Sequence, residues 1–435
     1  DGVATLTYGI NGFTSLNAGT GGDSFTVAAA STANLVGNTG SDTFNVANAL
    51  TGTVNGGAGG IDTLGGAALS NATITASAAT NEFSGTITGV TGGVSNTDTL
   101  NGSGTVTANV LTWSGGTMTG LGTTTLAALG TGTIVNTVTL SGPRTLSNAG
   151  TLTWSGAGDI NMTNGAAFTN QAGGVFDAQN DQAFANAGGA ASSVSNAGTF
   201  KKSGGTGTTT VAGNVDFNNS GGTLDIQSGN LTLSGQFNNS GAGSISAGTV
   251  NLNGDGTSSG SLALAAGATL AKTGGSTEVF SAGSTLSGGT LAVAGGVLQV
   301  DGTFTPNTLN QSGGTLSGTG TVTANSLSWS GGVMTGVGTT TLSALGTGTI
   351  DTSVNTVTLD QQRTLSNAGT LTWIGTLGNI AMANAAAFNI QAGGVFDARN
   401  ERTVVNPGGA ASSVSNAGIF RKSVGTGTTA VNSGV

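Results

Sequence analysis

Apolar residues in this chain alternate with Thr, Ser and Asn over runs of three to five positions, and glycines bound most runs. Thr249-Val250-Asn251-Leu252 and Leu231-Thr232-Leu233 are typical. Successive side chains of a strand leave opposite faces, so a period of two predicts half-buried strands, and the flanking glycines predict tight turns between them. Gly and Asn are poor helix formers and Thr and Val favour extended backbone, so a helical core is not expected. Chain disorder, the usual fate of Gly/Ser/Thr-rich sequence, is opposed by a hydrophobic content of 36% laid out in this alternating pattern.

The strands recur. In the first hundred residues an Asp or Asn stands two positions before an apolar residue at Asp23, Asp42, Asp62, Asn81 and Asp98, with spacings of 19, 20, 19 and 17. Further on, an apolar residue precedes an Asn-containing turn at Leu146-Ser147-Asn148, Phe168-Thr169-Asn170, Val194-Ser195-Asn196, Phe217-Asn218-Asn219 and Phe237-Asn238-Asn239, with spacings of 22, 26, 23 and 20. A longer repeat is superimposed. Thr105 to Trp113 (TVTANVLTW) returns as Thr321 to Trp329 (TVTANSLSW), and residues 104–211 correspond to 320–431. The second copy stops at Val435, aligned with Val215, which implies that the natural protein continues beyond it.

Coils of about 20 residues with several short strands each predict an all-β fold, a right-handed parallel β-helix or β-solenoid. Strands of successive coils would lie about 4.8 Å apart, and some twenty coils would form one continuous rod on the order of 100 Å long. Residues 1–100 are expected to form Gly/Asp-turn coils and residues 101–435 the duplicated solenoid. Asn residues recurring at one corner predict a ladder, each side-chain amide bonding those above and below, as in cross-β stacking.

Composition narrows the chemistry. There is no His and no Cys, which removes the commonest general base, thiol catalysis, thiolate metal sites and disulfides. Only 6% of residues are charged, 9 basic against 18 acidic, for a formal charge of -9. Nucleic acid is therefore not an expected partner. No apolar run approaches the roughly 18 residues of a membrane span. Position 1 is Asp, with no signal segment, so the chain reads as an internal or processed piece.

The repeated turns Phe217-Asn218-Asn219-Ser220-Gly221-Gly222-Thr223-Leu224, Ser228-Gly229-Asn230-Leu231-Thr232-Leu233-Ser234-Gly235 and Leu316-Ser317-Gly318-Thr319-Gly320-Thr321-Val322 resemble the passenger regions of filamentous-haemagglutinin and autotransporter-type bacterial proteins. The resemblance extends over about residues 100 to 435. It implies a structural or adhesive, non-enzymatic segment of a secreted or cell-surface filament in an extracellular location. It also implies self-association, end to end or side by side, and contact with a glycan or cell-surface receptor. The first hundred residues resemble the calcium nonapeptide of repeat toxins, carried by Gly19, Gly21, Asp23 and Phe25, by Gly37, Gly40, Asp42 and Phe44, and by Gly56-Gly57-Ala58-Gly59 with Asp62. That likeness implies calcium at Asp23, Asp42 and Asp62 as the one cofactor; the family repeats every nine residues, these turns about every twenty.

A carbohydrate-cleaving or carbohydrate-binding β-helix is the alternative. Asp177 and Asp181, matched by Asp397 and Glu401, are the candidate carboxylate pair, weighed against a solvated polar turn. Trp113, Trp154, Trp329 and Trp373 alternate with polar residues and are expected to pack inside the coil rather than stack on sugars. Lys201-Lys202 and Arg421-Lys422 read as solvated surface. Thr-x-Thr units such as Thr105 to Thr107, Thr123 to Thr125 and Thr137 to Thr139 are similar to those of ice-binding solenoids, but their irregular spacing predicts no flat threonine array.

Overall fold

The computed structural model describes residues 14–76, 83–88 and 90–435. It is all-β, a parallel β-solenoid with about 22 residues per turn and no helix among the described residues. Two compact units are present, Asp1–Thr223 and Leu224–Val435, and each carries one copy of the duplicated segment.

Within the first unit, three ladders show how the alternation becomes a coil. Thr145–Asn148 pairs in parallel with Ala167–Asn170, which pairs with Ser192–Asn196 and then Val215–Asn219. Thr151–Trp154 pairs with Val175–Ala178 and then Thr199–Lys202. Ile160–Met162 follows Val138–Leu140 in the third ladder. The second unit repeats the arrangement, with Thr364–Asn367, Ala387–Ile390 and Ser413–Asn416 on one ladder and Thr370–Ile374, Val395–Ala398 and Ile419–Lys422 on the next.

Alternate strand positions fill a narrow interior. Leu152 and Trp154 are buried while Thr153 between them is partly exposed. All four tryptophans are buried as expected, Trp154 against Phe184 at 5.2 Å and Trp373 against Phe396 at 6.2 Å between ring centroids. Phe168, Phe176, Phe200 and Phe217 continue the aromatic stack through the first unit. Dispersion contacts and apolar burial along this column are what no single coil could supply.

Coil length is set at the corners, because the strands keep register while the turns vary. Phe25 stacks on Phe44 19 residues later, whereas Phe168 pairs with Val194 26 residues later. Corners also demand close backbone approach: a Cβ at Gly198 would stand 2.2 Å from the carbonyl oxygen of Gly174 in the coil before it.

One segment adds antiparallel pairing to the parallel winding. The backbones of Ser70–Ala76, Phe83–Thr88 and Val90–Thr97 pair antiparallel, so Thr63–Gly65 is followed in its ladder by Thr99–Asn101. Val90–Thr97 still continues the ladder of Val54–Asn55 in parallel; Asn81, where a coil is expected, lies outside the described residues.

Candidate functional sites

The three aspartates singled out for calcium are buried and stacked. Asp23 donates its backbone N–H to Oδ1 of Asp42 at 2.8 Å, Asp42 donates to Oδ1 of Asp62 at 2.8 Å, and Asp62 donates to Oδ2 of Asp98 at 2.9 Å. Each carboxylate thus caps the strand start one coil below. Burial pushes the Asp42 carboxyl above its ordinary value, the hydrogen bond from Asp23 opposing it and the charge of Asp23 adding to it. Oδ2 of Asp42 has no hydrogen-bond partner, and a Cβ at Gly37 would fall 2.2 Å from it, which explains glycine there.

Calcium takes roughly six to eight convergent oxygens. The aspartates supply one carboxylate per coil, each spending an oxygen on a backbone N–H, and no grouping of three or more acidic side chains that could hold a metal occurs among the described residues. As placed, this donor set is a hydrogen-bond ladder and does not fit a calcium shell.

Asp177 is a strand residue rather than part of a turn. Its Oδ1 accepts from Ser203 Oγ at 2.7 Å and its Oδ2 from Gln179 Nε2 at 2.9 Å. Asp181 accepts from the Lys202 ammonium at 3.0 Å and from the Gly207 N–H at 3.0 Å. Burial acts to raise the Asp181 carboxyl, but Lys202 and Gly207 outweigh it and hold it below its usual range. A glycosidase acid needs the opposite shift. In the second copy, Asp397 is buried and paired with Arg399 Nε at 2.9 Å and Arg421 Nη2 at 3.1 Å. Burial raises it, yet Arg421, Ser423 and Arg399 bring it down to about 2. Glu401 accepts the N–H of Gly427. These carboxylates are tied down by donors from neighbouring coils.

No family model, curated protein or solved structure matches the chain. Function must therefore be read from its own side chains, and two expectations about them need correcting. Lys202 is not solvated: it is 0% exposed, and its ammonium donates to the carbonyls of Asn180 at 2.8 Å and Gly204 at 3.0 Å and to Thr209 Oγ1 at 2.9 Å. Its position two after the inward Phe200 is the signal that placed it inside. Lys422 makes the matching bonds, to the carbonyls of Asn400 at 3.0 Å and Val424 at 2.6 Å, and Arg421 is paired with Asp397.

The second correction concerns threonine. Variable corners absorb the irregular spacing, and Thr105, Thr123 and Thr145 fall into one column. In the second unit the column runs Thr285, Thr303, Thr321, Thr339 and Thr364, with Ser287, Thr305, Thr323, Thr341 and Ser366 beside it.

Sequence reasoning also missed the buried ions without carboxylate partners. Arg144 donates to Thr124 Oγ1 at 2.8 Å and to the Thr119 carbonyl at 2.9 Å, and Arg363 donates to Thr340 Oγ1 at 2.8 Å; burial brings both guanidinium groups down to about 10. In the second unit Lys272 and Glu278 both point inward. Burial lowers the Lys272 ammonium, while Glu278 and Asp255 oppose that shift. Burial raises the Glu278 carboxyl to about 8, and neither of its oxygens has a hydrogen-bond partner. Leu270-x-Lys272 and Glu278-x-Phe280 alternation was the available signal.

Proposed function

We propose that the chain is a structural or adhesive segment of a secreted, cell-surface bacterial filament, without enzymatic activity of its own. The observation that supports it is where the polar chemistry goes. Asn148, Asn170, Asn196 and Asn219 bond one another coil to coil, the aspartates cap neighbouring strands, and the buried cations bind backbone carbonyls. These side chains serve the stacking of coils, the property a load-bearing or display segment requires.

Self-association is supported by Leu129 and Leu345, equivalent residues of the two copies that are each 99% exposed. Isolated apolar residues on a surface are ordinary, but a fully exposed leucine kept at the same corner of both copies offers a repeated contact for another chain. No helix among the described residues is long and apolar enough to cross a membrane.

Electron microscopy of the purified chain tests this reading. Thin unbranched filaments or elongated particles are expected; isolated globules would overturn it.

A further inference from the structure

The second unit contains a polar groove with a volume of about 490 Å³. Its walls come from three successive coils in parallel register. Thr257 pairs with Val279, and Asn238 Oδ1 accepts the backbone N–H of Thr257 at 3.2 Å. Two residues earlier on each coil stand Gln236, Asp255 and Thr277. The groove therefore presents a grid of amide, carboxylate and hydroxyl groups, with Val279 as its apolar patch.

The end of this groove is pinned from inside the coil. Lys272, fully buried, donates to the Gly254 carbonyl at 2.7 Å and to Ser276 Oγ at 2.9 Å, and Ser276 Oγ donates to the Asn253 carbonyl at 2.8 Å. Glu278 lies buried between the two groove residues Thr277 and Val279 on the same strand. A buried ammonium and a buried carboxyl without hydrogen bonds are costly to keep in a core of this kind. They hold the backbone of the groove in place, Lys272 at Gly254 and Ser276 and Glu278 between Thr277 and Val279.

We propose that this groove binds a neutral, extended saccharide through Gln236, Asn238, Asp255, Thr257 and Thr277. Amides and a carboxylate pair with the adjacent hydroxyls of a sugar ring as donors and acceptors in turn. No ion pair holds Asp255 among the described residues, and no basic residue lines the groove, so an anionic glycan is disfavoured. The coil spacing of about 4.8 Å is close to the advance per ring of an extended β-linked glycan, so rings and coils keep step along the groove, with alternate rings turning opposite edges to it. A coiled α-linked glycan lacks that match.

This deepens the adhesive reading and rests on it, but the two fail separately, since filaments can form without any sugar bound. The test is isothermal titration of the full chain with cellotetraose, chitotetraose, maltotetraose and spermidine. Binding of cellotetraose or chitotetraose is expected, at least tenfold tighter than maltotetraose. Thr257→Trp, which fills the groove from its outer face, and Asp255→Asn should each weaken it at least tenfold, with unchanged circular dichroism. Asp177→Asn, outside the groove, should not. Binding of neither β-linked sugar, binding of spermidine alone, or sugar binding untouched by Thr257→Trp would overturn the proposal.

Discussion

The side-chain amide of Asn170 donates to Oδ1 of Asn196 at 2.7 Å while its own Oδ1 accepts from Asn148 at 2.8 Å. Both neighbours are fully buried, so this rung satisfies polar atoms on the coils above and below it. The second copy has Ile390 at the equivalent corner, and there Asn367 donates to the Val395 carbonyl at 2.8 Å, the bond that Asn148 also makes to the Val175 carbonyl at 2.9 Å beside its bond to Asn170.

Replacing Asn170 with Ala should therefore orphan a donor and an acceptor and leave a void, at a cost of about 2–4 kcal/mol. Asn170→Ile should cost less, because the side chain fills the corner as Ile390 does. Urea unfolding of the two variants checks the order; equal stability of Asn170→Ala and the parent chain would show that the ladder contributes nothing.

The parts of this fold legible in the residues are those governed by strict alternation. Leu152-x-Trp154 shows its buried face directly, and Asn148, Asn170 and Asn196 are marked as a ladder by following an apolar residue two before each. Corner length was not legible as a spacing rule, because a turn can lengthen without disturbing register. That is why the threonine columns were missed. The buried ions were missed for a different reason: a charged residue in isolation reads as solvated, and only the inward phase set by Phe200 or Leu270 says otherwise. The groove was missed because it is assembled from residues some twenty apart along the chain.

Lys202 and Asp181 should respond unequally to mutation. Lys202→Met removes a fully buried ammonium that serves four acceptors, whereas Asp181 is 37% exposed. The first should destabilise by about 3–5 kcal/mol, through the carbonyls left unpaired. Asp181→Asn should cost about 1 kcal/mol or less. Chemical unfolding monitored by hydrogen exchange at residues 175–211 measures both, and a larger loss for Asp181→Asn would contradict the placement of Lys202.

Calcium should leave the melting midpoint unchanged. Asp23, Asp42 and Asp62 are ladder rungs that each accept a backbone N–H, and no group of three acidic side chains that could hold a metal occurs among the described residues. Calorimetric scans with excess calcium and with chelator should superimpose; a chelator-dependent fall in the midpoint would restore calcium to the aspartate corner.

The pH dependence of the second unit should be set in large part by Glu278. Its carboxyl titrates near 4.5 when the chain is unfolded and at about 8 in the folded coil, where burial raises it. The groups facing it are Lys272, which lowers it, and Asp255, which raises it. Because the folded state holds the proton more tightly, the unfolded chain releases it first as pH rises. The contribution to stability is therefore fully present below about 4.5 and is lost progressively up to about 8, a fall on the order of 5 kcal/mol. Above that, both states are ionised and the loss is complete. Glu278→Gln keeps the shape without the proton, so its stability should be flat across the same interval and should exceed that of the parent chain at the alkaline end. Unfolding free energies at pH 4, 6 and 8.5 for the two proteins decide the matter. Parallel pH profiles would mean that Glu278 is ionised or solvated in the folded protein, and that the carboxyl does not sit in the coil as described.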